Sequence, residues 1–280
     1  MTDLPILSLL VWLPILAAAV VFLLRDGPVP RAVGIGTSLL CLALAGLAWT
    51  QYDASAGMAL QERLRWVPSF GLEYHLGLDG LSAPLVALNA LLAAVALAGS
   101  GQRAHTRGYT ALLLITQGAV AGALLALDLA LYFIFWEAML LPVVLLVGAY
   151  GGDGRRGAAV KFFLYTTAGS LLMLLAIIAL PFYARHTGAP LDILALSSAD
   201  VARGAQLWLF AGFALAFAIK MPLFPFHTWL PSLYEASPLP ALAFTTMLVK
   251  VGAYGFMRIV LPVLPDASAT LAPLMAGLSI

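Results

Sequence analysis

Phe217-Ala218-Ile219-Lys220-Met221-Pro222-Leu223-Phe224-Pro225-Phe226-His227-Thr228-Trp229-Leu230-Pro231 places a lysine and three prolines inside one apolar run. The residues Leu207 to Ile219 before it are long enough to carry Lys220 well into a bilayer. Pro222 and Pro225 have no amide hydrogen, so a helix continued through them leaves the carbonyls of Ala218 and Met221 without donors. Such a break is tolerated at membrane depth only where protein or water satisfies the freed groups. The stretch therefore reads as a membrane helix broken beside a charge, and it predicts a hydrated pocket next to Lys220.

The rest of the chain supports a membrane setting. Of 280 residues, 62 % are hydrophobic and 10 % charged, with a mean hydropathy of +1.00. A soluble globular domain is about 25 % charged, so this chain could not cover a water-facing surface. Basic and acidic residues number 14 and 13, a net charge of +1, without the basic patch that holds a phosphate backbone; nucleic acid is excluded as a partner. The single cysteine, Cys41, lies in an apolar run. It excludes a disulfide framework, a cysteine-ligated zinc and an iron–sulfur cluster within this chain.

Spanning helices of roughly 20 residues are predicted near 4 to 24, 31 to 50, 79 to 99, 109 to 127, 129 to 149, 160 to 183, 206 to 234 and 238 to 263, with a ninth run from Ala267 reaching Ile280. These runs are continuous and rich in Leu and Ala, without the alternation of barrel strands. The expected fold class is all-α, a polytopic helix bundle of eight to nine spans. Met1-Thr2-Asp3 lacks the basic region of a secretory signal, so the first run is kept as a helix. Arg25, Arg31, Arg103, Arg107, Arg155 and Arg156 fall in alternate short loops, whereas Arg63, Arg65, Arg185 and Arg203 fall in two long ones, 51 to 78 and 184 to 205. The dense short loops are the cytoplasmic signal, which puts the N-terminus outside. Gly152-Asp153-Gly154-Arg155-Arg156-Gly157 matches a dinucleotide-turn spacing, but it joins two apolar runs instead of a strand and a helix, and reads as a basic loop. Gly118 and Gly122 make a close-packing face for another helix.

Ionisable groups at mid-membrane cost several kcal/mol and are functional by default. Glu137, Lys220 and Lys250 lie near the middle of three predicted spans and suggest a row parallel to the membrane. Pro142 frees the carbonyl of Ala138 beside Glu137, and Pro238 and Pro240 open the helix that carries Lys250. At the carbonyl end of a half-helix a lysine is favoured charged, while burial favours it neutral; a group with opposed influences suits loading and releasing a proton. The competing reading is a static Glu137–Lys220 ion pair that fixes helix packing. Lys161 reads as a snorkelling anchor, Asp79 and Ser82 as helix N-terminal caps, and Asp128 and Asp153 as solvated or interfacial. His227 either passes a proton or bonds a freed carbonyl. Trp66, Trp136 and Trp229 read as interfacial or packing residues.

The opening stretch resembles the signature of the antiporter-like subunits of respiratory complex I and the multi-subunit sodium/proton antiporters. Three further strings carry the resemblance: Gly77-Leu78-Asp79-Gly80-Leu81-Ser82, Phe135-Trp136-Glu137-Ala138-Met139-Leu140-Leu141-Pro142 and Leu248-Val249-Lys250-Val251-Gly252-Ala253-Tyr254-Gly255. Together they are most similar to the subunit-M type of NADH:quinone oxidoreductase. The resemblance implies that Glu137 is the glutamate that modulates the broken-helix lysine, Lys220. It implies that Lys250 relays protons toward the membrane centre and that His227 sits on the second half of the broken helix. It divides the chain into helices 1–3 (1–108), a first antiporter-like repeat of helices 4–8 (109–263) and the start of a ninth helix (264–280), with the second repeat missing. Ser232, Leu233 and Tyr234 stand where the family commonly has Asp, a small residue and His, which leaves a loop-histidine contribution in doubt. No cofactor is expected in this chain; flavin, iron–sulfur clusters and quinone belong to partner subunits. Expected partners are other membrane-arm subunits, including neighbouring antiporter-like ones, the lipid bilayer and protons, in the cell inner membrane. A cation/proton antiporter subunit and a membrane scaffold without transport remain as alternatives.

Overall fold

Every apolar run becomes a helix, and the two runs that carry Glu137 and Lys220 each come in two pieces. A computed structural model describes residues 4–52, 57, 58, 60–185 and 190–279. Met1-Thr2-Asp3 and the side chain of Arg185 lie outside the described residues.

In chain order, α1 is Ile6–Leu23, α2 Pro28–Thr50, α3 Ser82–Gly99, α4 Arg107–Leu125, α5 Leu129–Ala138, α6 Leu140–Tyr150 and α7 Arg155–Tyr183. The short α8 (Ile193–Ser197) leads to α9 (Arg203–Lys220), α10 (Trp229–Ala236), α11 (Leu239–Gly255), a π-turn at Phe256–Val260, α12 (Leu261–Val263) and α13 (Pro265–Ser279). Seven segments among the described residues are long and apolar enough to cross a membrane, with α5 and α6 counted as one and α11 to α12 as another. The broken α9–α10 segment is the seventh predicted span, which adds one to those seven segments, and α13 stands where the ninth run was expected.

α4 forms the centre: 89 % of its apolar window is buried, and it packs against α1, α3, α5, α6 and α11. Small residues allow this. A Cβ on Gly118 would lie 2.6 Å from the carbonyl oxygen of Val11, so only glycine lets α1 approach that closely. The Gly118/Gly122 face thus serves helix packing, as the spacing predicted, with Gly122 lying against the ring of Phe135.

The long loops need correction. Residues 60–78 form a β-hairpin, β1 (Leu60–Val67) antiparallel to β2 (Leu72–Leu78), with a register shift between Arg65 and Val67. Gly71 turns the chain at φ +65°. The second loop carries β3 (Ala184–Arg185), paired with β4 (Asp200–Val201), and α8. The two pieces are stitched to the bundle by backbone bonds from Leu127 to His75, Leu129 to Leu191 and Ile193 to Leu127, each 2.8 Å.

Asp128, expected to be solvated or interfacial, is buried. Its carboxylate caps α5 through Ala130 and Leu131 and also accepts the Glu73 amide. Burial pushes its carboxyl up despite these donors, and the charge of Asp192 adds to the rise.

Candidate functional site

Two helix ends meet at mid-bundle. α5 stops at Ala138 and α6 restarts at Leu140, because Pro142 cannot donate to the carbonyl of Ala138. Glu137 therefore lies in the last turn of α5. α9 ends on Lys220, two residues before Pro222. The carbonyl expected to be free at Ala218 accepts from the amide of Leu223 at 2.9 Å. The indole Nε1 of Trp229 donates to the carbonyl of Ile219 at 2.8 Å. Protein groups thus take up part of the break, and two aromatic rings lie beside the lysine. The Lys220 Nζ lies 4.7 Å from the centroid of Trp136 and 5.9 Å from that of Phe162.

Lys220 is 1 % exposed, and its Nζ has no hydrogen-bond partner among the described residues; the Oε1 atom of Glu137 is likewise buried and unpartnered among them. Glu137 is close enough to act on the lysine's charge, yet no ion pair closes between them. This overturns the static-pair reading, since a packing bridge requires contact. Buried ionisable atoms without partners are uncommon and costly, and ring faces are the compensation that Lys220 has. Trp136 and Trp229 are packing residues, as expected, and both also hold polar contacts: the Trp136 indole donates to Ser170 Oγ at 3.0 Å. Trp66 is exposed on the hairpin.

α11 crosses the break through Gly252, where a Cβ would come 3.1 Å from the Lys220 Cβ. Lys250, two residues earlier on the same helix, points to the opposite side and is exposed. The structure therefore does not bring Lys250 into the buried cluster. His227 is also exposed, its ring stacked on Phe224 at 5.8 Å. Of the two carbonyls expected to be freed, that of Ala218 is taken by the Leu223 amide. Lys161 is not a free snorkelling anchor: its Nζ donates to the carbonyl of Thr228 at 2.6 Å and to Ser232 Oγ at 3.4 Å. Tyr165 and Thr228 share a 2.8 Å hydroxyl contact, so α7 holds the segment that follows the break.

Two polar clusters on the hairpin side escaped the sequence reading. Asp79 caps α3 as predicted, accepting from Leu81 and Ser82 through Oδ1. Its Oδ2 takes a 2.5 Å bond from Arg258, 179 residues away. Burial raises the Asp79 carboxyl, but the Arg258 and Ser82 donors outweigh it and hold the group below the usual carboxylate range. The second cluster joins His75 Nδ1 to Asp192 Oδ2 at 2.8 Å and His75 Nε2 to Gln61 Oε1 at 3.0 Å, with Arg63 bonding Glu73. Glu73, His75 and Asp192 offer ligand atoms within 4.8 Å of one another, but the Arg63 guanidinium already neutralises Glu73 and lies 3.5 Å from Asp192.

The sequence and the fold are both similar to those of known proteins. The family described as NADH:quinone oxidoreductase/Mrp antiporter, TM matches residues 126–280. The chain is 38 % identical over 282 residues to NAD(P)H-quinone oxidoreductase chain 4-2 of Synechocystis, covering 99 % of this chain and 50 % of that one. It spans about half the length of the curated relatives it matches. A chain of respiratory complex I from Thermus thermophilus superposes with a TM-score of 0.84 at 33 % identity, covering 97 % of this chain and 56 % of that one. A chain of the Mrp complex from Dietzia gives 0.79 at 25 %, covering 95 % and 29 %.

Proposed function

The chain belongs to the NADH:quinone oxidoreductase/Mrp antiporter transmembrane family, and from that premise we propose that it is a proton-translocating membrane subunit of a respiratory NADH:quinone oxidoreductase. The observation that carries this reading is a buried lysine, Lys220, beside a half-buried Glu137, with Nζ and Oε1 both buried and unpartnered among the described residues at two helix breaks. An ammonium with no hydrogen bond, facing only aromatic rings and one nearby carboxylate, responds strongly to small movements of that carboxylate. Charge changes arriving along the membrane arm move Glu137 relative to Lys220 and alter how tightly the lysine holds its proton. Lys250 then receives protons on the exposed face of α11. His227, exposed beyond the break, stands on the proton's path to or from the loop side.

In this reading the redox work lies in partner subunits: flavin, iron–sulfur clusters and quinone are held there, and this chain binds none. Its neighbours are other membrane-arm subunits in the cell inner membrane, with the N-terminus outside. Helices 4–8, residues 109–263, act as one antiporter-like repeat supported by residues 1–108.

Substituting Lys220 by Met in the assembled complex tests the reading. The expected result is retained quinone reduction at reduced rate, with the proton-to-electron ratio lowered; a normal ratio in an assembled variant refutes it. The similarity to the Dietzia Mrp complex favours a second reading, a subunit of a multi-subunit cation/proton antiporter. Copurification of flavin and iron–sulfur subunits separates the two.

A further inference from the structure

The end of the bundle away from the hairpin carries a corner rich in arginine. The α1–α2 and α3–α4 connections meet there: the Gly27 amide donates to the carbonyl of His105 at 2.8 Å, and the Arg107 amide to Asp26 Oδ1 at 2.9 Å. Arg107 also turns its side chain onto the end of α1, with Nη1 at 3.3 Å from the carbonyls of Phe22 and of Leu24. Arg31, in the first turn of α2, reaches the end of α3 and donates through Nη2 to the carbonyl of Ala98 at 2.8 Å. Its Nε is buried without a partner among the described residues. A Cβ on Gly34 would lie 2.7 Å from Thr110 and 3.1 Å from Leu97, so α2, α3 and α4 touch at that level. Arg31 and Arg107 each stand about one turn nearer the loops, at a common height. Arg25 and Arg103 are exposed on the same two connections, and their guanidinium groups hold no hydrogen bond or ion pair among the described residues. Residues 22–31 and 98–107 together hold four arginines and one carboxylate, that of Asp26. Phe22, Leu23 and Val29, on the flanking helix ends, are exposed apolar side chains.

Arginines that only orient a chain in the membrane need no fixed geometry. Here two of the four guanidinium groups are held on helix-end carbonyls of neighbouring helices, so their positions are set before any ligand arrives. Their mutual repulsion is offset by one carboxylate alone. We propose that this corner binds the headgroup of an anionic phospholipid, its phosphodiester accepting hydrogen bonds from Arg25, Arg31, Arg103 and Arg107 and its acyl chains lying along Phe22, Leu23 and Val29. The chemistry of the ligand follows from the site. A planar guanidinium matches the paired anionic oxygens of a phosphate group. The corner lies where four membrane helices end, at headgroup depth, and the apolar side chains beside it suit hydrocarbon. Basic pockets between membrane helices take anionic lipid headgroups in this way. With the N-terminus outside, the lipid comes from the cytoplasmic leaflet, and once bound it bridges the two connections. The inference needs the membrane setting alone and stands apart from the proton-carrying role of Lys220.

The test uses the whole membrane complex that contains this chain, in vesicles doped with phosphatidylglycerol or phosphatidylcholine bearing the same photoreactive acyl chain, and peptide mass spectrometry locates the labelled residues. Phosphatidylglycerol is expected to label residues 22–31 and 98–107 about tenfold more than phosphatidylcholine does. Unlabelled phosphatidylglycerol should compete the label away, and inorganic phosphate should not. Arg25→Gln combined with Arg103→Gln removes two side chains that have no bonds to lose, and is expected to bring the labelling down to the phosphatidylcholine level. Arg155→Gln combined with Arg156→Gln, an equal loss of charge in the α6–α7 loop, is expected to leave it standing. Equal labelling by the two lipids, or an equal fall in both double variants, reduces the corner to a general charge effect and overturns the site. Labelling by neither lipid means that another subunit covers the corner, and competition by inorganic phosphate assigns it to a free anion; either result overturns the lipid. If the Arg25 and Arg103 variant fails to assemble, wild-type labelling at raised salt decides. It falls several-fold where guanidinium groups hold the headgroup, and labelling indifferent to salt counts against the proposal.

Discussion

Asp192→Asn removes one charge from the seam between the hairpin and the α7–α9 connection, and its cost follows from the contacts. The carboxylate is 4 % exposed. It accepts from His75 Nδ1 at 2.8 Å and, as the cap of α8, from the Ala195 amide at 2.9 Å. Asparagine keeps one acceptor oxygen, so one of these two buried donors loses its match, at roughly 1–3 kcal/mol. Loss of the charge-assisted character of the surviving bond adds about 1 kcal/mol. Arg63 is half-exposed at 3.5 Å and contributes little. Relief of the repulsion on Asp128, the smallest influence on that group, gives back a fraction. The expected destabilisation is about 3 kcal/mol near neutral pH, measured by denaturant unfolding in detergent. Hydrogen exchange localises it: the amides of Leu127, Leu129 and Ile193, which close the seam, should exchange about 100-fold faster if the seam opens locally.

The sign of the pH dependence follows from the direction of the Asp192 shift. Burial raises its carboxyl, but the His75 and Ala195 donors and the charges of His75 and Arg63 bring it below the ordinary 3.8. A depressed folded-state value means that the stabilisation is fully present above the unfolded value and is lost as pH falls through the folded one. The gap between wild type and Asp192→Asn should therefore shrink only below about pH 4. A difference under about 0.5 kcal/mol at pH 7, with all three amides as protected as in wild type, refutes the reasoning.

Gly118→Ala puts a methyl against the Val11 carbonyl at 2.6 Å, a backbone atom that cannot rotate away; about 1–3 kcal/mol of destabilisation is expected in the same unfolding assay, and a neutral result shows that α1 can shift. Glu62→Ala strips the first turn of α1 of the acceptors for the Leu7 and Ser8 amides, at 2.7 and 2.9 Å. About 2 kcal/mol should be lost, seen as faster exchange at those two amides, and unchanged exchange rejects the tertiary cap.

The spans were legible because hydropathy and proline position act locally: a proline's missing amide breaks its own helix wherever that helix lies. Glu137 and Lys220 stood out for the same reason, as charges where the local solvent is apolar. The hairpin was legible too, in the alternation Leu60, Glu62, Leu64, Trp66 against Gln61, Arg63, Arg65 and in Gly71, but polar residues between two membrane runs were read as loop. What could not be read was pairing at long separation. Nothing in the neighbourhood of Asp79 points to Arg258, nor of His75 to Asp192, and the facing of Lys250 depends on Gly252 meeting Lys220, a packing fact.

These long-range ties are unevenly distributed, and that bears on how the buried pair can move. On the hairpin side, α9 is fixed at its start, where Gln206 accepts from the amides of Asp266 and Ala267. On the same side α3 is bonded to the π-turn after α11 through Asp79 and Arg258, and α1 to β1 through Glu62. At the break, too, side chains hold the backbone. The carbonyl of Ile219 is held by an indole and that of Thr228 by a lysine, side-chain bonds that can swing without dismantling a backbone ladder. Lys220 and Glu137 have no bonds to lose at Nζ and Oε1. A displacement of the end of α5 or of α9 changes the distance between the two charges, and that is the movement that the proposed proton transfer requires.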